Sequence, residues 1–253
     1  GPTDKAILTS CARVYFRDDP LRLQAFQKWN YVELSGISNA GSAEVLTRLL
    51  GTDVEFHGMQ GADPVRIVRV RDRDYQLDEQ KVGVRSISPA GSKVHFLDVV
   101  WPRHSIESLF LEPACLAAWL APAVGPGGPT LAELESWIAD ALAAADQDRG
   151  LDDKAQDGLR QQFLKDKTMP EAIRLARETA RNAPAIWQRG KDRGAFVLAQ
   201  VRKRLQESGR SHLTGRVRGS ITKLVEDAQP EQLGAVGTLI PPSLRDVLDR
   251  LVA

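Results

Sequence analysis

The chain has 253 residues, 42% of them hydrophobic and 26% charged, with a formal charge of +1. That is long and apolar enough for one large or two small domains with real cores. The longest nearly apolar run, Ala114 to Val124, is too short to span a membrane, and no cleavable leader precedes it, so a cytoplasmic protein without a membrane partner is expected.

Two cysteines, Cys11 and Cys115, lie far apart in sequence and offer neither a zinc site nor a disulfide framework. Gly1 and Pro2 have the form of a tag-cleavage remnant and are set aside. From Ile7 to Phe16 the β-branched and aromatic content and the alternation predict a strand. Asp18, Asp19 and Pro20 then announce a helix running to Gly36, since Asp caps well and Pro is tolerated at the first helical position. Phe26, Trp29 and Tyr31 make that segment rich in aromatics, which are expected in the core. Ser42 caps a second helix, AEVLTRLL, that ends at Gly51.

Between Thr52 and Trp101 the period shifts towards two. DVEFHG, PVRIVRVRDRDYQL, KVGVRSISPAG and SKVHFLDVVW read as strands of a largely antiparallel sheet. Arg66, Arg69, Arg71, Arg73 and Arg85 decorate it. Asp63, Asp72, Asp74, Asp78 and Glu79 offset them, so cross-strand ion pairs are expected rather than a platform for polyanions. A helix follows from His104 to Leu120, broken at Pro113.

APAVGPGGPT, Ala121 to Thr130, is the strongest punctuation in the chain. It divides an α+β domain, residues 3–121 with flanking helices, from an all-α domain at 131–253, with 122–130 as the linker. Thr130 and Glu133 fit a capping box, and further helices are expected near 152–167, 170–182, 191–207, 220–228 and 243–252. The acidic run Asp146, Asp148, Gly150, Asp152 and Asp157 misses the calcium-loop pattern and reads as a helix connector.

Charge is concentrated in the second half. The stretch 185–223 holds ten cationic side chains against Asp192 and Glu207, which suggests a polyanionic partner. At about 100° per residue, Leu198, Val201 and Leu205 share one helical face, and Arg193, Phe196, Gln200, Lys203 and Arg204 the opposite one. Cations hold phosphates and a ring can stack on an unpaired base. Downstream, SGRSHLTGRVRGS mixes glycine and serine with Arg210, Arg216 and Arg218, a composition for a loop or hairpin whose backbone and guanidinium donors suit phosphate. Ser220 then caps the helix that carries Lys223.

The expected function is a non-catalytic nucleic-acid-binding subunit for RNA or single-stranded DNA, working beside other protein subunits, with the bacterial ribonucleoprotein, defence and mobile-element systems as candidate settings. Its contact residues are Arg189, Arg193, Phe196, Lys203, Arg204, Arg210, Arg216, Arg218 and Lys223; no cofactor or resident metal is expected. Two nuclease alternatives are weighed: a metal-dependent core from Asp63, Glu79 and Lys81, and a metal-independent one using His104 or His212 beside arginines. A third alternative is a scaffold whose acidic protein partner meets the basic helix.

Overall fold

A computed structural model describes residues 2–31, 65–74, 80, 82–86, 94–182 and 191–253. Helices dominate, beside a small three-stranded sheet, so α and β elements are both present as expected. The first element corrects the sequence expectation. Ile7 to Phe16 is not a strand: α1 is a helix over Pro2–Tyr15. Ile7, Leu8, Cys11, Ala12 and Val14 are buried, and their spacing of one, three, one and two residues makes a helical stripe. Burial of that stripe outweighs the β propensity of Ile7 and Val14.

Helix α2, Pro20–Gln27, starts where expected, with Asp19 accepting from the Arg22 N–H at 3.1 Å and Pro20 in the first turn. It stops at Gln27 rather than continuing to Gly36. Past that end, the Trp29 indole donates to the Leu251 carbonyl at 2.7 Å, while on α2 itself Arg22 pairs with Asp249 at 2.7 Å. Both partners belong to the last helix. Phe26 is buried as expected, whereas Tyr31 is exposed. The helix expected over AEVLTRLL and the strand expected in DVEFHG lie outside the described residues.

The sheet has β1 (Val65–Arg71), β2 (Gly83–Ser86) and β3 (Val94–Val100) in the order β1-β3-β2. It is mixed rather than largely antiparallel: β1 runs parallel to β3 in the register Arg69↔Asp98, and β2 runs antiparallel to β3 in the register Arg85↔Asp98. Strand alternation sends Val68, Val70, Val84 and Val99 to the apolar core and Arg69, Arg71, Arg85 and Asp98 to the other face.

After the sheet, Glu107–Phe110 forms a 3-10 turn, and α3 (Pro113–Val124) begins at Pro113, where a break was expected. A proline is tolerated in the first turn because its missing N–H has no helical acceptor there. Gly125 ends α3 with φ 75° and its N–H on the Ala121 carbonyl at 3.0 Å. Helix α4 (Leu131–Asp146) carries the full capping box between Thr130 and Glu133. The Pro/Gly stretch therefore joins two helices that pack on one another, and one apolar cluster draws residues from both sides of it, from Ile7 to Leu251.

The second half follows the expected helices closely. Helix α5 is Arg149–Phe163, with Asp148 capping its start through the Leu151 N–H, so the acidic run is a helix connector. Helix α6 is Met169–Asn182, and α5 and α6 close a small cluster of Ala155, Leu159, Ala176 and Ala180. Helix α7 covers Lys191–Glu207. A 3-10 turn at Ser211–Arg216 precedes α8 (Ile221–Asp227), capped by Ser220; then come α9 (Val236–Leu239) and α10 (Pro242–Val252). Gly194 marks where α7 passes α8, for a Cβ there would sit 3.0 Å from Ile221 Cδ1. Among the described residues no helix is long and apolar enough to cross a membrane. Both cysteines are buried free thiols, and the Cys115 Sγ–H donates to the Leu239 carbonyl at 3.3 Å.

Two carboxyls near the sheet set opposite pH dependences. Burial pushes the Asp72 pKa up, aided by Asp4, Glu107 and Asp74, to about 7. Burial pushes Asp98 up too, but hydrogen bonds from Arg69 and Arg71 outweigh it and bring its pKa down to about 2. An unfolded Asp titrates near about 4. Stability from Asp72 is therefore full below about 4 and is lost as pH rises through about 7; stability from Asp98 is full above about 4 and is lost as pH falls through about 2. Thermal unfolding is expected to show its highest Tm near about pH 4 to 5. Asp72→Asn should remove most of the decline towards neutral pH, on the order of 1 kcal/mol after allowance for partial exposure. A wild-type maximum at neutral pH that the variant leaves in place would contradict this.

Candidate nucleic-acid interface

The rotation of α7 decides which of its cations reach solvent. Val197, Leu198, Val201 and Leu205 are fully buried, and α7 packs along α4. Arg193, placed by the helical wheel among the binding residues, is buried instead, only 3% exposed. Its Nη1 donates to the Ala145 carbonyl at 2.6 Å and its Nη2 lies 3.7 Å from Asp146. It thus meets a carbonyl of the last turn of α4, which also accepts from the Asp148 N–H, and the negative dipole end of that helix, where a cation is stabilised. Burial pushes this guanidinium's pKa down, opposed by Asp146, Asp152 and Asp148. Arg193 is a structural residue and not part of an exposed interface.

The remaining members of the basic stretch stay near the surface, and most are paired. Lys203 lies 3.8 Å from Glu207, and Arg204 lies 3.3 Å from Asp140 and 4.0 Å from Glu207. Arg210 reaches Glu133 at 3.6 Å, and Lys223 reaches Glu226 at 2.7 Å. Hydrogen bonding to Glu226 raises the Lys223 pKa, and hydrogen bonds from Thr130 lower that of Glu133. Phe196 is half-buried and among the described residues joins neither apolar cluster; it shares an outward stripe with Ala199, Gln200 and Lys203. Arg189 lies outside the described residues.

Arg216 and Arg218 are arranged differently. Gly209, at φ 76°, ends α7 in the left-handed conformation, and the Arg210 N–H returns to the Leu205 carbonyl at 2.8 Å. Leu213 and Val217 then tuck into the core and tie the turn down between them. Arg216 Nη1 donates to the Val124 carbonyl at 2.8 Å, and Arg218 Nε lies 2.6 Å from Asp227. Both line a cleft of about 330 Å³ between the end of α3 and α8. Trp119, Pro122 and Leu224 form its apolar part, while Gln229 and Gln232 offer amides at its edge. Arg216 is held by a backbone carbonyl and Arg218 by an exposed carboxylate, and each keeps further donors for a ligand.

Neither nuclease arrangement gains geometric support. Asp63, Glu79 and Lys81 lie outside the described residues. His104 is half-buried with Asp74 3.8 Å from its Nδ1, and Asp74 donates its N–H to the His104 carbonyl. The neighbouring Arg103 is paired with Glu112. His212 is exposed in the 3-10 turn. Among the described residues no group of three or more His, Cys, Asp or Glu side chains converges to hold a metal ion.

Gln229, Gln232 and the Trp119 floor were absent from the sequence reasoning, because nothing in residue type or spacing joins them to Arg216 and Arg218. Compared with family models, curated proteins and solved structures, the chain matches none.

Moving Arg193 off the interface has a measurable consequence. Arg193→Met removes the charge-assisted hydrogen bond to the Ala145 carbonyl and should lower stability by about 1.5 to 3 kcal/mol. Oligonucleotide affinity, corrected for the folded fraction, should not change. A variant of wild-type stability that binds more weakly would return Arg193 to the interface.

Proposed function

We propose that the chain is a non-catalytic nucleic-acid-binding protein that takes RNA or single-stranded DNA at the cleft beside Arg216 and Arg218. The observation that carries this reading is the joining of two guanidiniums, one of them anchored on the Val124 carbonyl, to a nucleotide-sized, partly apolar cleft. Its volume is at the lower end of small-ligand pockets, which fits one base rather than a duplex. Arginine forks suit phosphate oxygens, and the Gln229 and Gln232 amides offer both donors and acceptors to a base edge. An unpaired base can enter such a cleft, whereas a base within a duplex is stacked and paired.

Surface pairing does not oppose this. The Arg218–Asp227 pair is exposed on both sides, and exposed pairs are worth about 0 to 1 kcal/mol. Phosphate oxygens can replace Asp227 at small cost. Lys203 and Phe196 on the outward stripe of α7, with Arg204, Arg210 and Lys223, add charge and one ring to the same segment.

The test is binding of a single-stranded homopolymer across a salt series. Affinity should fall steeply with salt, and Arg218→Ala should weaken binding and reduce the slope of log affinity against log salt by roughly one, with Tm unchanged. Asp227→Asn frees Arg218 and should strengthen binding. Binding absent at low salt, or insensitive to both substitutions, would reject the proposal in favour of an acidic protein partner.

A further inference from the structure

The far face of the sheet holds a second cationic cluster with a different architecture. Asp98, at the middle of the central strand, is 0% exposed. Three arginines converge on it from both neighbouring strands. Arg69 Nε donates to Oδ1 at 2.8 Å, and Arg71 donates from Nε to Oδ1 at 3.3 Å and from Nη2 to Oδ2 at 3.1 Å. From the opposite side, Arg85 Nη2 donates to that same Oδ2. The register explains the convergence, because Arg69, Asp98 and Arg85 form one rung across β1, β3 and β2, and Arg71 stands two residues along on the same face.

Among the described residues, one carboxylate against three guanidiniums leaves two formal positive charges. Among the described residues no other carboxylate reaches Arg69, Arg71 or Arg85. Arg69 is mostly enclosed, 12% exposed, and lies over the Phe96 ring at 5.5 Å. Arg71 and Arg85 are 36% and 34% exposed, so both side chains reach solvent. Arg85 Nε is shielded from water and has no hydrogen-bond partner among the described residues. Two guanidiniums bonded to the same oxygen atom repel one another, and an anion beside them would relieve that repulsion.

We propose that Arg71 and Arg85, drawn together across β3 by Asp98, form a binding site for a phosphate dianion, either inorganic phosphate or the terminal phosphate of a phosphomonoester. Asp98 is the positioning residue and Arg69 braces the rung. The two uncompensated charges match a dianion, which distinguishes this site from contacts with the singly charged phosphodiesters of a nucleic-acid backbone. The site is independent of the cleft beside Arg216 and Arg218, with which it shares no residue.

Titration calorimetry of the intact chain with inorganic phosphate, at fixed ionic strength, tests the site. Saturable binding is expected in the wild type, and Arg71→Gln and Arg85→Gln should each weaken it by roughly tenfold or more. Arg174→Gln, an exposed arginine of α6 outside both sites, should bind phosphate like the wild type. A nucleoside monophosphate should compete with inorganic phosphate, and an oligonucleotide without terminal phosphates should not. The melting temperature of Arg85→Gln controls for folding, since that side chain is one-third exposed. No saturable binding in the wild type, equal affinity in Arg71→Gln and Arg85→Gln, or an equal response to chloride would overturn the proposal. Displacement by the unphosphorylated oligonucleotide would do so too, assigning the cluster to a nucleic-acid backbone.

Discussion

Burial of the apolar edge of α7 fixes the geometry on which the candidate interface depends. Val197, Leu198, Val201 and Leu205 are each 0% exposed. Removing such side chains from water is worth about 1.5 to 3 kcal/mol apiece, far more than any single surface ion pair. The helix cannot turn to suit its charges. Its rotation carries Arg193 inward to the end of α4, holds Lys203 and Phe196 on the outer side, and delivers the chain at Gly209 to the turn bearing Arg216 and Arg218. Apolar burial is what sets the position of that turn.

Electrostatics then divides the arginines by what they face. Along α7 and α8, carboxylates from the same or adjacent helices shadow the cations, as Glu207, Asp140 and Glu226 do for Lys203, Arg204 and Lys223. A formal excess of charge in the sequence is therefore much reduced locally, and exposed pairs of this kind can be exchanged for phosphate. On the sheet the balance is reversed. Asp98 is outnumbered by Arg69, Arg71 and Arg85, although the sequence places several acidic residues near those strands. Asp72 and Asp74 lie beyond the end of β1, towards His104 and Ile106, and do not answer those arginines.

The sequence made the second half far more legible than the first. Helix α7 was expected at 191–207 and occupies Lys191–Glu207, and the Thr130 and Ser220 caps stand where proposed, because capping is a local interaction that residue type and spacing specify directly. Residues 7–16 failed as a strand because Leu8, Ala12, Val14 and Phe16 satisfy alternation while Ile7, Leu8, Cys11 and Ala12 satisfy a helical stripe. Only packing against α8 and α10 decides between the two. The largely antiparallel pairing failed for a related reason: parallel pairing of β1 with β3 is a long-range choice, invisible in either strand alone. Arg193 misled because a helical wheel gives relative angles but not which face the rest of the molecule covers. The cleft was out of reach, since Trp119, Arg216 and Gln232 meet only through the docking of α3 beside α8.

Amide hydrogen exchange, followed with and without a saturating single-stranded oligonucleotide, tests the central claim most directly, because it locates the contact without altering any residue. Binding at the cleft predicts added protection across Ser211–Gln232 and the end of α3, with little change in α5, α6 or the sheet. Protection confined to the sheet or to α5 and α6, with the Ser211–Gln232 segment unaffected, would contradict the account.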